Sequence, residues 1–377
     1  MRSCWLILAL YFVLEAGASG AEKQSPAEMA RLLQDVQTQV ANGAKGGQEA
    51  LRALLSAMND QFEAMDESQW REPRNARALA LYVMSGGRSE VAQRVLAAGL
   101  VPQSEQALLR GATAQAEMRA EEARKQFEGL DPRTFDPALG AHVAFAKANV
   151  ATDRAQARAL LELARLLAPG GLIDEAALRR SVFLAGEAGD VEAFVDLSQR
   201  YARRFRGSAY FGNFARGFVN SAQQIPVSRL ESRLDSVAVV TAALPVESQN
   251  ALRLDLARRA LLEGRNEISE RMSHAALGGL GAADRRERMR AALYAAATMV
   301  GGARHNEARD ALARIAEDEL SVADRNLLTV ARAGARHIAP KSAGGRIASR
   351  SPSLVETTSH ARRLLDETVG LLGEGAR

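Results

Sequence analysis

Cysteine is almost absent from this chain of 377 residues, since Cys4 is the only one. A single thiol excludes a disulfide framework and a zinc site made of several cysteines. Aromatic residues make up only 5% of the chain, and proline occurs ten times. β-Strands favour aromatic and β-branched residues, so this composition predicts a helical protein.

Charge is also nearly balanced, with 49 basic against 45 acidic residues and a net charge of +4. So small an excess does not point to a nucleic-acid partner. The histidines are isolated from one another, so no two of them share a helical face as metal ligands: His142, His274, His305, His337 and His360. A phosphate-binding loop, a nucleophile elbow and a dinucleotide-binding glycine turn are missing from the sequence. We therefore predict a protein that is not an enzyme and holds no cofactor.

Long apolar runs are absent except at the N-terminus. Arg2 precedes an apolar run from Trp5 to Leu14, and small residues follow as far as Ala21. These are the three parts of a secretory signal peptide, and a bilayer span would need about 20 apolar residues. We predict that residues 1–21 are a signal peptide cleaved near Ala18 or Ala21. The mature chain would then lie outside the cytoplasmic membrane, without a transmembrane segment.

The rest of the chain shows apolar residues at helical spacing, interrupted by regular breaks. The breaks are spaced by 32 to 39 residues and are centred on Gly87, Arg119, Thr152, Gly189, Ile225 with Pro226, Gly264 and Gly302. Tetratricopeptide-like helical hairpins repeat every 34 residues or so, although their tryptophan, tyrosine and proline signature does not stand out here. We predict an all-α, tetratricopeptide-like helical-hairpin solenoid. The alternative is an irregular all-helical domain.

The two ends differ from this array. Residues 22–70 are predicted to form an N-terminal helical cap with a turn over residues 42–47, and residues 71–338 the solenoid. Residues 339–352 contain prolines, glycines, serines and basic residues, which predicts a flexible basic linker. Residues 353–377 are predicted to contain a C-terminal amphipathic helix, with apolar positions at Leu354, Leu364, Leu365, Val369 and Leu372.

One stretch of the solenoid is rich in aromatic residues and arginines. Eight of the eighteen aromatic residues lie within it: Phe183, Phe194, Tyr201, Phe205, Tyr210, Phe211, Phe214 and Phe218. Aromatic residues beside arginines are enriched at protein interface hot spots, although the same rings equally suit a helical core. We predict a partner-binding site at Arg200, Tyr201, Arg203, Arg204, Arg206 and Tyr210, with the arginines exposed.

Several strings resemble the MotC family of exported motility proteins from rhizobia-like alphaproteobacteria. They are EPRNARAL and YVMSGG at residues 72–79 and 82–87, LAPGGLIDEAALRR at 167–180, residues 183–190, YARRF at 201–205 and AYFGNF at 209–214. The resemblance covers the signal peptide and most of residues 60–335. It implies a periplasmic, non-enzymatic protein needed for flagellar rotation, which binds the periplasmic part of the stator protein MotB. The alternatives are a general helical-repeat scaffold of the envelope with another protein partner, and an all-helical hydrolase acting on peptidoglycan.

Overall fold

The structure is a computed structural model that describes residues 25–337. All regular elements in that range are helices. They are α1 (Pro26–Ala41), α2 (Gly47–Glu63), α3 (Pro73–Met84), α4 (Glu90–Ala97), α5 (Gln103–Ala116), α6 (Ala120–Phe127), α7 (Pro137–Val150), α8 (Arg154–Leu167), α9 (Leu172–Glu187), α10 (Val191–Arg204), α11 (Phe211–Gln224), α12 (Val227–Leu230), α13 (Leu234–Ala243), α14 (Val246–Leu262), α15 (Asn266–Gly279), α16 (Arg285–Thr298), α17 (His305–Ala313) and α18 (Val322–His337). The predicted signal peptide, linker and C-terminal helix lie outside the described residues.

From α3 onward the chain is a series of helical hairpins, and each helix packs against the next from α3 to α10 and from α13 to α17. All seven predicted breaks lie in turns between helices, as the bounds above show. The first helices of successive hairpins also pack on one another, as α7 does on α9, α9 on α11, α11 on α14 and α14 on α16. The chain is therefore an all-α helical-hairpin solenoid, as predicted.

The turns share a backbone motif. After α3, Gly86 is left-handed with φ 94°, and the N–H of Gly87 donates a 2.9 Å hydrogen bond to the carbonyl of Tyr82. The same motif ends α9 and α14, and it satisfies carbonyls that the helix end leaves free. After α5 the left-handed position is taken by Met118 (φ 57°), the only residue besides glycine with positive φ in the described range. Its side chain is 90% exposed.

Helix α10 shows why these sequences form packed hairpins. Asp190 precedes the helix and accepts a hydrogen bond from the N–H of Ala193, which caps the helix end. Its buried positions follow the helical period: Val191, Phe194, Val195, Ser198, Tyr201 and Ala202. Phe194 stacks on Phe218 of α11, with the ring centroids 5.1 Å apart. Most of the aromatic stretch therefore fills the core, which was the alternative to an aromatic binding surface.

Ion pairs join neighbouring hairpins near their turns. Arg158 lies 3.3 Å from Asp190, and Arg304 lies 2.9 Å from Glu270. Arg265 pairs with Glu231 in the same way. Exposed pairs of this kind contribute at most about 1 kcal/mol each, so the apolar stripes supply most of the stability. The pairs mainly fix how one hairpin is placed on the next.

Helix α1 contacts helices beyond the hairpin that follows it in sequence. With α2 it forms the predicted hairpin, and it packs against both α3 and α9. Near its end, Ala41 belongs to the core around α9, α10 and α11. The following turn approaches the α10–α11 loop so closely that a methyl group on Gly43 would collide with the carbonyl oxygen of Gly207. The N-terminal hairpin thus contacts hairpins that are distant in sequence.

A buried polar relay connects α1, α3 and α7. The Nε2 of Gln37 donates a 2.9 Å hydrogen bond to Ser85 Oγ, which lies 3.4 Å from Nε2 of the buried His142. His142 Nδ1 lies 2.8 Å from the carbonyl of Ala138, so the neutral ring donates there and accepts at Nε2. Burial lowers the pKa of His142 to about 4, which keeps the ring neutral near pH 7.

Candidate partner-binding surface

The six residues predicted to bind a partner lie where α10 ends and a loop leads into α11. All four arginines among them are exposed, and three of these, Arg200, Arg203 and Arg206, form one group. Within residues 25–337 the guanidinium groups of these three form neither hydrogen bonds nor ion pairs. Arg200 and Arg203 are three positions apart and therefore lie on one side of α10. We refer to Arg200, Arg203 and Arg206 as the α10 arginine surface.

Tyr201 does not belong to this surface, contrary to the prediction. It lies on the buried stripe of α10 and is completely inaccessible to solvent. Its ring stacks on Phe214, with the centroids 4.0 Å apart, and its hydroxyl donates a hydrogen bond to the carboxylate of Glu175. Burial and the neighbouring Glu175 carboxylate raise the pKa of the Tyr201 hydroxyl, so it remains a donor. Its role is structural because no partner can reach it.

Arg204 is exposed in part, but it holds a buried carboxylate. Its Nη2 lies 2.9 Å from Oδ2 of Asp174, whose side chain is fully buried. The Nε of Arg165 lies 3.0 Å from the other oxygen, Oδ1, and the N–H of Gly170 donates a 2.8 Å hydrogen bond to Oδ2. A buried carboxylate without such partners is strongly destabilising. Arg204 therefore secures the end of α10 to the start of α9.

Glu175 is the second buried carboxylate at the start of α9. Its Oε1 lies 3.0 Å from Nε of Arg179, and the guanidinium of Arg179 lies over the ring of Tyr210 at 5.5 Å. The half-buried Tyr210 therefore covers this ion pair and leaves only part of its ring to solvent. Neither Asp174 nor Glu175 was singled out from the sequence. Two acidic residues in the first turn of a helix can nevertheless be recognised in a sequence, because the helix dipole favours negative charge at that end.

The arrangement provides a rigid basic surface. Two buried carboxylates position the end of α10 and the following loop, while the α10 arginine surface remains free to contact a partner. Arginine presents a planar group with five donors, which matches carboxylates on an acidic protein surface. This geometry suits protein binding.

Two further findings concern the described residues. Over residues 25–337, no group of three or more histidine, cysteine, aspartate or glutamate residues is placed to hold a metal ion. No helix in the same range is long and apolar enough to cross a membrane. The predicted lack of a cofactor and of enzymatic activity stays a prediction.

Comparison with known proteins identifies relatives along most of the chain. A family described as "Chemotaxis protein MotC" matches residues 1–368. A protein of Rhizobium meliloti (strain 1021) that carries the same name is 31% identical over 325 residues, which are 84% of this chain and 73% of the relative. No solved structure matches the chain.

Proposed function

This chain belongs to the MotC family of chemotaxis proteins, and from that premise we propose that it is a periplasmic, non-enzymatic protein required for flagellar rotation. Its partner in this proposal is the periplasmic part of the stator protein MotB. The signal peptide predicted at residues 1–21 supports export to that compartment. The motility role follows from the family, and the partner and the location are the proposed parts.

The observation that carries the proposal is the α10 arginine surface. It presents three exposed guanidinium groups that have no ion-pair partner in residues 25–337. The ion pairs of Asp174 and Glu175 position the helix end that carries them. A rigid surface loses little conformational entropy on binding, so more of its interaction energy is expressed as affinity. Binding that favours one arrangement of the stator's periplasmic domain would increase the population of that arrangement. In this way the protein would permit or tune rotation.

The experiment replaces Arg200, Arg203 and Arg206 together by glutamate and leaves Arg204 unchanged. The purified chain is then titrated with the periplasmic domain of MotB in a calorimeter. We expect affinity to fall by about tenfold or more, because the reversed charges repel an acidic partner. Circular dichroism should show unchanged helicity, since the three side chains form no hydrogen bond or ion pair within residues 25–337.

A matched control variant carries the same change of net charge at three arginines outside the α10 arginine surface. Arg94, Arg154 and Arg314 are also exposed and form no ion pair within the described residues. Their replacement by glutamate should leave the affinity within about twofold of the wild type. Equal loss in both triple variants would mean that net charge alone matters and would overturn the surface assignment. If the unmodified chain does not bind the MotB domain at all, the proposed partner is wrong.

A deletion strain tests the cellular role. Cells that carry flagella but do not swim would support a role in rotation. Cells without flagella would instead favour the alternative of a general helical-repeat scaffold in envelope assembly with another partner.

A further inference from the structure

A groove runs beside α1, and none of the residues of the α10 arginine surface lines it. Its larger part has a volume of about 590 Å³ and is bounded by α1 and the starts of α3 and α7. A smaller part of about 210 Å³ continues along α7 to the start of α9. Gln34 lines both parts, so they form one channel, which we call the α1 groove.

The shape of the α1 groove is that of a site for an extended peptide. Seven residues of α1 line it, and four of these follow one another at spacings of four, three and four, which places them on one helical face: Ala27, Arg31, Gln34 and Thr38. From Ala27 to Thr38 the helix rises by about 16 Å, and about five extended residues have that length. The floor is apolar and consists of Ala30, Ala78, Leu81 and Leu139, all of them buried.

The wider end of the groove offers two unpaired guanidinium groups to an acidic ligand. Three arginines line its wider end, of which Arg77 is already bound to Glu105 through two hydrogen bonds of 2.9 and 3.1 Å. Arg31 and Arg74 are exposed, and neither forms a hydrogen bond or an ion pair within residues 25–337. One guanidinium comes from α1 and the other from α3, so carboxylates in the groove can contact both.

Three acidic residues line the groove, namely Asp35, Glu72 and Asp136, and of these only Asp136 has a side chain that forms a hydrogen bond within residues 25–337. Asp136 accepts a 3.1 Å hydrogen bond from the N–H of Leu139 and so caps α7. Glu28, one turn before Arg31, is bound to Ser25 at the start of α1. Glu72 is exposed, lines the groove, and has no such bond in the described part of the chain. Glu72 at the wider end and Asp35 in the smaller part, which is likewise exposed and unpaired within the described residues, both oppose an acidic ligand. Glu72 lies at the same end as Arg31 and Arg74, which makes it a useful position for a test.

We propose that the α1 groove binds an extended acidic segment of a partner protein. Its carboxylates would contact Arg31 and Arg74, and an apolar side chain between them would pack on Leu81 and Leu139. No aromatic residue is among those that line the groove, so it lacks the stacking platforms that single-stranded nucleic acids use. The inference rests on different residues from the α10 arginine surface and does not require MotB as the partner.

Fluorescence anisotropy with the full-length chain tests this proposal. The probe is a labelled peptide of about eight residues that contains glutamates and two leucines, which is long enough to fill the groove. A second probe has lysine in place of every glutamate. We expect the acidic probe to bind with an affinity that falls as salt is added, and the lysine probe to bind at least about tenfold more weakly.

Three variants locate the binding. Replacement of Arg31 and Arg74 by glutamate should lower the affinity for the acidic probe by about tenfold or more. The control variant, Arg94→Glu with Arg154→Glu, should change that affinity by less than about twofold. Glu72→Gln should raise the affinity for the acidic probe, because the substitution removes a carboxylate that repels it. Thermal unfolding of each variant verifies that it is folded. The proposal is overturned if the acidic probe does not bind, if both probes bind equally, or if the groove variant binds like the wild type.

Discussion

The Nη2 of Arg204 lies 2.9 Å from Oδ2 of Asp174, and this contact joins an exposed helix end to a fully buried carboxylate. Its neighbour Arg203 is exposed and forms no ion pair within residues 25–337. Two adjacent arginines in one predicted binding site therefore have different roles. This difference can be measured.

Arg204→Glu should lower the free energy of unfolding by roughly 2 kcal/mol or more, because a negative charge would face the buried Asp174. Arg203→Glu introduces the same charge one residue earlier and should change stability by less than about 0.5 kcal/mol. Urea denaturation followed by circular dichroism compares the two. Equal effects of the two substitutions would show that the Arg204–Asp174 contact does not stabilise the fold.

Stability should depend on pH through His142. Its folded pKa of about 4 lies below the ordinary value of 6.5, so its contribution is complete above that value and is lost as the pH falls. Protonation would also place a proton on Nε2, toward the Ser85 hydroxyl, and the cation would lie among Gln37, Ser85 and the Ala138 carbonyl, with Asp136 as the nearby acid. Between about pH 7 and pH 5 the loss should be about 2 kcal/mol.

The variant His142→Gln isolates this effect. Glutamine can keep a hydrogen bond to the relay but does not titrate, so the difference between the wild-type and variant unfolding free energies should change by about 2 kcal/mol over that range. Denaturant titrations at each pH supply the values. If the two proteins lose stability in parallel, then His142 is not the group responsible.

Met118→Gly should stabilise the protein. Met118 adopts a left-handed conformation with 90% of its side chain exposed, so it is strained without burying its apolar surface. Relief of the strain should raise the free energy of unfolding by about 1–2 kcal/mol. Glycine also gives the unfolded chain more conformational freedom, which offsets part of this increase, so the net increase should be about 0.5–1 kcal/mol. Met118→Ala is the control, because it keeps the strain and should show no such gain in melting temperature.

Gly43→Ala should destabilise the N-terminal hairpin more than Gly46→Ala. Both glycines are left-handed, with φ of 76° and 74°, so alanine costs about 1 kcal/mol at either position. Only at Gly43 would the new methyl group meet the carbonyl of Gly207, whereas Gly46 faces open space. The additional cost at Gly43 should be at least about 1 kcal/mol, measured by thermal unfolding. Identical melting temperatures would disprove the close approach of the two turns.

The sequence was sufficient to predict the hairpins, because their signals are local. Breaks such as Gly189 combine a left-handed glycine with an apolar helix end, and the structure has a turn at every one of them. The burial of Tyr201 also had a local signal, since it lies seven residues after Phe194 on the same helical stripe. The composition of the stretch is typical of an interface, but the helical period places Tyr201 on the buried face, where no partner can contact it.

Contacts between distant segments had no such signal. Nothing in the residues around Asp174 indicates that Arg204 lies against it, because the contact depends on how α9 and α10 pack. The same holds for α1, whose amphipathic pattern predicts one buried face but does not specify α3 and α9 as its neighbours. The groove beside α1 follows from that placement, and so it was visible only in the structure.

The position of α1 has a consequence for the order of events as the chain is synthesised. The hairpins of the solenoid have mostly local contacts, so each can form soon after its own residues emerge. Helix α1 is the first of the described helices to be synthesised, but Ala41 and the turn at Gly43 can reach their neighbours only after α11 has been synthesised. Until then part of its apolar stripe remains uncovered, in the state most open to aggregation and to chaperones. The first of the described helices thus reaches its final contacts only after α11 has been synthesised.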